Sequence, residues 1–388
     1  MPRRGCRAAR GTPCEAASRS ALPLGITRAL LAAVRILIVS TFRNEGPYLL
    51  EWLAHYRAAG ATDFLLFSND CSDGTDEMLA RLDAEGIVHH LPNPREGSAS
   101  VQWQALRRAW KHPLRKAADW ALVCDADEFV NIHVPGHGFA DLLAALPPEA
   151  DALALPWRLF GHSGQLGILD APVTRSFTHA ISPEAEFPVA ATLCKTLFRP
   201  SGPFTAFGVH RPRQRPEGKG RRPVFAGGGG GLLPEPFPAL PNRISLMGLG
   251  GGRALAEMNH YAVRSAAAFL LKRARGLPNR ERQVDLAYWV ERNFNTVEDR
   301  SIAAMAPGTE AELARLKALA GLAELHAAAL EHHRARFSEL VRTPEGQALF
   351  SQILVAGGSA EVPPHLQRKL LQWYHEAQRT SGPRERDG

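Results

Sequence analysis

The chain has 388 residues, of which 45% are hydrophobic and 22% are charged, and its formal net charge is +7 at pH 7. This composition excludes a disordered or fibrous chain and is typical of one large domain with an appendage. The basic excess lies mainly in residues 1–34 and 199–222, without the interleaved aromatic residues of a nucleic-acid-binding surface, so we expect no nucleic-acid partner.

Residues 1–34 carry six arginines against a single acid, Glu15. We expect this stretch to be a disordered tail or the product of an upstream start codon, and removal of residues 1–30 to leave the protein intact. The alternative is peripheral association with an anionic membrane surface. Arg28 interrupts the apolar run before the first strand and no cleavage site follows, so we expect no signal peptide.

Four short apolar runs alternate with helical patterns in the first third of the chain. The predicted strands are 35–40, 64–67, 87–90 and 120–124, and the predicted helices are 47–59, 73–84 and 98–112. Such alternation predicts an α/β fold with a mostly parallel sheet and helices on both faces.

The pattern loosens after residue 150. Residues 153–157 and 192–198 predict strands, whereas the proline- and glycine-rich stretch 200–252 predicts long surface loops. These loops are either a lid over the site or an inert insertion. Helices are predicted at 265–275, 281–293, 309–336, 343–356 and 363–379. We therefore predict a main domain at 35–280 and a helical extension at 281–388.

The run Asp125-Ala126-Asp127-Glu128 follows the fourth predicted strand directly. In open α/β sheets the ligand crevice lies at the carboxyl ends of the strands. On an extended chain Asp125 and Asp127 would point to the same side and could share Mg²⁺ or Mn²⁺. Exposed acids at a strand-end turn are the alternative.

Three further groups of polar residues are predicted near the same crevice. Asp70 follows the second strand and is a candidate to bind a base or ribose, while Asn44 and Glu45 follow the first strand. Glu45 has the alternative of serving the next helix N-terminus. His260 could complete a metal site, and its nitrogen ligand suits Mn²⁺ better than Mg²⁺.

Taken together, these motifs resemble glycosyltransferase family 2-like proteins that border on family 92. The resemblance covers residues 35–280. The residues that carry it are Arg43-Asn44-Glu45, Tyr48-Leu49-Leu50-Glu51-Trp52, Asn69-Asp70-Cys71-Ser72-Asp73-Gly74-Thr75, Cys124-Asp125-Ala126-Asp127-Glu128-Phe129, Trp157-Arg158-Leu159-Phe160-Gly161, Gly208-Val209-His210-Arg211-Pro212 and His260-Tyr261.

The resemblance implies a GT-A fold, a nucleotide-sugar donor such as a UDP-sugar, and a divalent metal. Asp125, Asp127 and Glu128 are then the predicted catalytic residues. Asn44, Glu45, Asp70 and Asp125 would bind the donor. Asp125, Asp127 and His260 would hold the metal. An inverting transfer to the hydroxyl of a glycan or another acceptor needs a general base, for which Glu128, Asp170 and Glu186 stay open.

The predicted function is glycosyl transfer in surface or extracellular polysaccharide synthesis. Five scattered cysteines without CxxC spacing indicate free thiols, and we expect a cytoplasmic location, including the inner face of the membrane. A non-catalytic carbohydrate- or nucleotide-binding protein and a nucleotidyltransferase are the alternatives. The oligomeric state is not readable from the sequence.

Overall fold

Strands and helices alternate from Ile36 onward, close to the predicted positions. The computed structural model describes residues 34–97, 100–216, 218–276 and 284–380. The first strands are β1 (Ile36–Phe42), β2 (Asp63–Ser68), β3 (His89–Pro92) and β4 (Trp120–Val123). The first helices are α1 (Gly46–Ala58), α2 (Thr75–Ala84), α3 (Val101–Lys111) and α4 (Pro113–Ala117).

The middle of the chain adds shorter elements. They are β5 (Glu128–Ile132), α5 (Phe139–Ala144), β6 (Ala152–Leu159), α6 (Val173–Ser176), β7 (His179–Ala180), β8 (Cys194–Phe198), β9 (Phe204–Ala206), β10 (Arg213–Gln214), β11 (Phe225–Gly227), α7 (Pro236–Ala239) and β12 (Ala256–His260). The remainder is mainly helical: α8 (Ala266–Arg275), α9 (Leu286–Val290), β13 (Val297–Glu298), α10 (Ala306–Lys317), α11 (Leu322–Leu340), α12 (Pro344–Ala356) and α13 (Pro364–Thr380).

The described residues form a nine-stranded sheet with the order β3-β2-β1-β4-β8-β6-β12-β5, and β11 pairs with β6. Within it, the pairings β1–β2, β1–β4, β2–β3, β6–β11 and β6–β12 are parallel, and β4–β8, β6–β8 and β5–β12 are antiparallel. The predicted α/β fold with a mostly parallel sheet is confirmed. The sequence pattern missed β5 and β12, which pair antiparallel with each other at one edge of the sheet.

Alternate residues of the central strands are buried on opposite faces of the sheet. Leu37 of β1 and Leu65 of β2 pack in one cluster with Ala105 and Leu106 of α3. Ile38 and Leu66, one residue further along the same strands, are equally buried, and by alternation they face the other side. Burial on both faces explains why these strands have continuous apolar sequences.

The prediction of surface loops at 200–252 is wrong. Phe204 and Phe225 belong to the core cluster beside β1 and β2. Arg211 is buried, and its Nη1 donates to the carbonyl oxygens of Phe237, Leu240 and Arg243. It thereby satisfies backbone acceptors that an irregular segment leaves without partners.

The two glycine runs of this segment pack against each other. Gly229 N donates to Gly251 O at 2.7 Å. A Cβ on Gly227 would lie 2.4 Å from that same oxygen, a distance that no side chain tolerates. These glycines therefore allow two backbones to approach closely.

The C-terminal helices pack on the strand–helix half of the chain. Arg57 of α1 pairs with Glu312 of α10 at 2.5 Å, and Nε2 of His333 on α11 donates to Asp73 Oδ2 at 2.8 Å. The described residues from Arg35 onward form one compact unit. The boundary at residue 280 stays a prediction, and the tail at 1–33 lies outside the described residues. None of the described helices is long and apolar enough to cross a membrane.

Candidate active site

A cavity opens at the carboxyl ends of β1, β2, β4 and β12. Its volume is about 170 Å³, and its wall includes Thr41, Asp70, Asp125, Asp127 and His260. Parallel strands bring their carboxyl ends to one edge of a sheet, which is where open α/β sheets bind ligands. The structure therefore brings together the polar residues that follow three of the predicted strands.

The acidic run is a turn rather than an extended chain. Glu128 N donates to Asp125 O at 3.1 Å, and residues 126–127 form the turn between β4 and β5. The expectation that alternation aligns Asp125 with Asp127 is wrong for this reason. The two carboxylates instead contact two different lysines.

The first group, which we call the Lys195 cluster, consists of Asp125, Glu128 and Lys195. Lys195 Nζ lies 2.9 Å from Asp125 Oδ2 and 3.1 Å from Glu128 Oε2. Asp125 Oδ1 accepts from Gln102 Nε2 at 2.9 Å, and Glu128 Oε2 accepts from Asp125 N at 2.7 Å. Both oxygens of Asp125 therefore already have protein donors.

Lys195 and Glu128 are completely buried. Burial raises the pKa of Glu128 to about 8, because Asp125 and Asp127 oppose the effect of Lys195. Burial alone would lower the pKa of Lys195, but the negative charges of Asp125 and Glu128 outweigh this effect and raise the pKa. Glu128 is not among the residues that line the cavity. Glu128 therefore fixes the position of Asp125 from the buried side of the turn.

The second group, the Lys272 cluster, consists of Asp127, His260 and Lys272. Lys272 Nζ lies 2.7 Å from Asp127 Oδ2 and also donates to Ala262 O at 2.8 Å. His260 Nε2 lies 3.6 Å from Asp127 Oδ1. All three residues line the cavity.

Burial would raise the pKa of Asp127, but Lys272 and His260 hold it well below its usual range. Burial lowers the pKa of His260, although Asp127 works against this. Near neutral pH the carboxylate is therefore ionised and the imidazole is neutral. Those are the forms in which the two side chains bind metals.

The predicted donor-binding residues lie in different surroundings. Asp70 is exposed, lines the cavity and has a positive φ of 47°. The Glu45 carboxylate is buried, and it pairs with Arg264 Nη1 at 2.7 Å and with Arg275. Burial works against the ionisation of Glu45, but the two arginines lower its pKa.

Asn44 holds two loops together and does not line this cavity. Its Nδ2 donates to Ser72 Oγ at 3.1 Å, and its Oδ1 accepts from Ser72 N at 2.8 Å. Of the further candidates for a base, Asp170 lies 3.7 Å from His326 Nε2, and Glu186 donates its backbone N–H to Gln367. Neither residue lines the cavity.

Several residues of the wall were not assigned from the sequence. The ring of Trp157 contacts those of His260 and His210 at tilted angles, with centroid distances of 4.1 Å and 5.0 Å. Tyr288, on α9, lies under Arg292 at 3.9 Å and near Lys272 at 5.3 Å. A single lysine inside an apolar strand was the signal that could have revealed Lys195, because such a lysine needs a buried acidic partner.

The cations at one end of the cavity come from the later part of the chain. Lys272, Arg275 and Arg292 all line it. They face the edge where Asp127 lies, and Arg43 adds a fourth positive charge beside β1. This end of the cavity can neutralise an anionic ligand such as a diphosphate.

Residues 39–224 match the sequence profile of glycosyltransferase family 92. A glycosyltransferase family 92 protein of Oryza sativa subsp. japonica is 26% identical over 147 residues, which is 36% of this chain and 24% of that protein. The aligned part of the chain thus spans about a quarter of that relative's length.

Solved structures show more distant similarity. S. aureus TarS 1-349 in complex with UDP-GlcNAc is 13% identical with a TM-score of 0.31, covering 80% of this chain and 92% of TarS. A putative glucose-1-phosphate thymidylyltransferase of Bacillus anthracis is 10% identical with a TM-score of 0.27, covering 43% and 72%. Scores this low carry no conclusion about function.

The predicted resemblance to glycosyltransferases is confirmed, and the family whose profile matches is family 92. The matched residues contain the second half of β1, the loop at Asp70 and the acidic run, and they include most of the residues that line the cavity. Residues 39–224 are thus the part of the chain that is similar to glycosyltransferase family 92.

Proposed function

We propose that this protein transfers a glycosyl group from a nucleotide-diphosphate sugar, such as a UDP-sugar, to a hydroxyl acceptor. The observation that carries the proposal is the cavity at the carboxyl ends of the strands, where Asp127, within the stretch that matches family 92, pairs with Lys272 of α8. The family supplies the reaction type, and the cavity supplies the charges that this reaction needs.

The chemistry of the wall suggests how the donor is oriented. Asp70 and Thr41, at the ends of β2 and β1, would contact the nucleoside. Lys272, Arg275 and Arg292 would face the diphosphate and stabilise the charge that develops on it as it leaves. The aromatic ring of Trp157 would then lie beside the sugar or the acceptor.

The Lys272 cluster fits a divalent cation better than the Asp125–Asp127 pair does. An ionised Asp127 and a neutral His260 face each other, and one oxygen with one nitrogen ligand suits Mn²⁺ better than Mg²⁺. The oxygens of Asp125 are occupied by Gln102 and Lys195. Bound there, the metal would neutralise charge on the diphosphate. Among the described residues no group of three or more His, Cys, Asp or Glu side chains is arranged to hold a metal, so substrate oxygens would complete its coordination.

We further propose an inverting transfer. In such a reaction the acceptor oxygen bonds to the anomeric carbon as the bond to the diphosphate breaks, and the hydroxyl proton passes to a base. Glu128, Asp170 and Glu186 do not line the cavity. The base therefore belongs among the residues that do.

The proposed setting is the synthesis of a surface or extracellular polysaccharide from the cytoplasmic side of a membrane. Cys71, Cys124 and Cys194 are free thiols, which suits a reducing compartment.

A donor screen tests the proposed function. Purified protein is incubated with single nucleotide sugars, an acceptor mixture and Mn²⁺, and the released nucleoside diphosphate and the stereochemistry of the product are measured. We expect turnover with at least one donor. Donor binding without turnover would indicate a non-catalytic binding protein. When inorganic pyrophosphate is added, its consumption with formation of a nucleoside triphosphate and a sugar 1-phosphate would indicate a nucleotidyltransferase.

Metal dependence is tested in the same assay. EDTA should abolish turnover and Mn²⁺ should restore it. The variant His260→Ala should need about tenfold more Mn²⁺ for half-maximal rate, because even residues that only support a metal ligand change affinity by roughly 10–100-fold. Full turnover after exhaustive chelation would overturn the metal assignment while leaving glycosyl transfer itself in place.

A further inference from the structure

A second cavity lies on the other side of the Asp127–Lys272 pair. Its volume is about 430 Å³, and α8 and α11 form much of its wall. Arg43, Glu45, Asp127, Lys272 and Arg275 line both cavities. The C-terminal helix α11 thus encloses a space that borders the candidate active site but is separate from it.

The wall of the second cavity carries a surplus of positive charge. Five cationic side chains face three carboxylates among the described residues, namely Arg43, Arg264, Lys272, Arg275 and Arg336 against Glu45, Asp127 and Glu339. Each carboxylate already has a cationic partner: Glu45 has Arg264, Asp127 has Lys272 and Glu339 has Arg336. The surplus favours an anionic ligand.

Two buried nitrogen atoms in this wall have no hydrogen-bond partner within the protein. They are Nε of Arg264 and Nδ1 of His333, whose residues are 6% and 5% exposed. Leaving a buried donor without an acceptor costs about 1–3 kcal/mol, and the Nε of an arginine is always a donor. A ligand oxygen that reached the Nε of Arg264 would satisfy this donor.

His333 is held in place from its other side. Its Nε2 donates to Asp73 Oδ2 at 2.8 Å. Burial would raise the pKa of Asp73, but the hydrogen bonds from His333 and Thr75 lower it to about 2. With an ionised Asp73 as acceptor, Nε2 carries a proton, and this hydrogen bond fixes the orientation of the ring.

We propose that the second cavity binds a phosphate group. A phosphate offers several acceptor oxygens and two negative charges, which match the surplus charge and the donors of the wall. The volume lies within the roughly 300–1,000 Å³ of small-molecule sites, so there is room for a phosphate ester. Arg264, His333 and Arg336 do not line the first cavity, so a variant at Arg336 can test this site separately from the proposed transfer reaction.

Calorimetric titration of the full chain with glycerol 3-phosphate and with inorganic phosphate tests the proposal. We expect binding at the second cavity, weakened about tenfold or more in Arg336→Gln. The matched control is Arg334→Gln. Arg334 lies on the same helix and pairs with Glu331 at 2.6 Å as Arg336 pairs with Glu339 at 2.7 Å, but it does not line the cavity.

A second variant separates the two cavities. Arg292 lines only the first, so Arg292→Gln should leave binding at the second unchanged. Tighter binding of glycerol 3-phosphate identifies an ester as the ligand, and equal binding identifies free phosphate; both results support a phosphate site. The proposal would be overturned if neither ligand bound. It would also be overturned if Arg334→Gln weakened binding as much as Arg336→Gln, or if only Arg292→Gln weakened binding. Donor turnover, measured separately, decides the proposed function.

Discussion

Two lysines face the two aspartates of a single turn, but their surroundings differ. Lys195 is completely buried and is enclosed by Asp125, Glu128 and the carbonyl of Val209. Lys272 lines both cavities, and Asp127 beside it also faces His260. The ion pairs of Lys195 thus fix the turn, whereas the ion pair of Lys272 faces the cavities in which ligands would bind.

The origin of the two lysines in the chain differs as well. Lys195 lies in β8, within the family 92 match, whereas Lys272 lies in α8, beyond it. Residues within the family 92 match therefore form the turn. The lysine that balances the charge of Asp127 comes from a later helix, α8. Changing one side should alter stability, and changing the other should alter turnover.

The largest expected effect is on stability, from Lys195→Met. Methionine keeps much of the apolar stem but leaves the half-buried Asp125, and the buried Glu128 when it is ionised, without their cation. Removing one partner of a buried ion pair costs roughly 3–5 kcal/mol. Urea unfolding at neutral pH should show this loss in the free energy of unfolding. A variant as stable as the wild type would mean that Lys195 does not fix the turn.

The next effect is on turnover, from Asp127→Asn. Asparagine keeps an acceptor for Lys272 but removes the charge that faces the ligand and His260. A loss of about 2.7 kcal/mol of transition-state stabilisation lowers the rate about 100-fold, so we expect a reduction of at least this order. The measurement is nucleoside diphosphate release, with circular dichroism as the check on folding. Near wild-type turnover would contradict the role given to the Lys272 cluster.

The sequence predicted the strand–helix half of the fold well for a physical reason. β1, β2 and β4 are buried on both faces, so each is a short apolar run next to an amphipathic helix. β5 and β12 were missed because they carry polar residues such as Asn131 and Asn259, which are buried only through tertiary contacts. No local sequence pattern predicts a strand of that kind.

The sequence predicted where the candidate site lies but not which side chains pair within it. The position of Asp125 and Asp127 followed from the end of an apolar strand. Their separation by two lysines did not, because Lys195 and Lys272 lie 70 and 145 residues away along the chain. The prediction for the two glycine runs failed for a similar reason, since close backbone packing leaves the same sequence signal as a flexible loop.

The smallest expected effect on turnover comes from Glu128→Gln. The side chain is completely buried and does not line the cavity, and glutamine keeps an oxygen that can accept from Asp125 N. A general base contributes roughly 10²–10⁴-fold. We expect a loss of less than about tenfold, which would separate support of the turn from proton transfer. A loss of several hundredfold in a folded variant would restore the predicted catalytic role.

The same variant should also change how stability depends on pH. Burial together with Asp125 and Asp127 raises the pKa of Glu128 from 4.5 to about 8 despite Lys195. A carboxyl whose pKa is raised on folding contributes stability that is fully present below its unfolded pKa and is lost as pH rises through the folded pKa. The wild type should therefore lose stability relative to Glu128→Gln between about pH 5 and pH 9, as urea unfolding across this range would reveal. Parallel curves for the two proteins would mean that Lys195 keeps Glu128 ionised throughout. The Lys195 cluster would then be a fully charged triad, with Lys195→Met correspondingly more damaging.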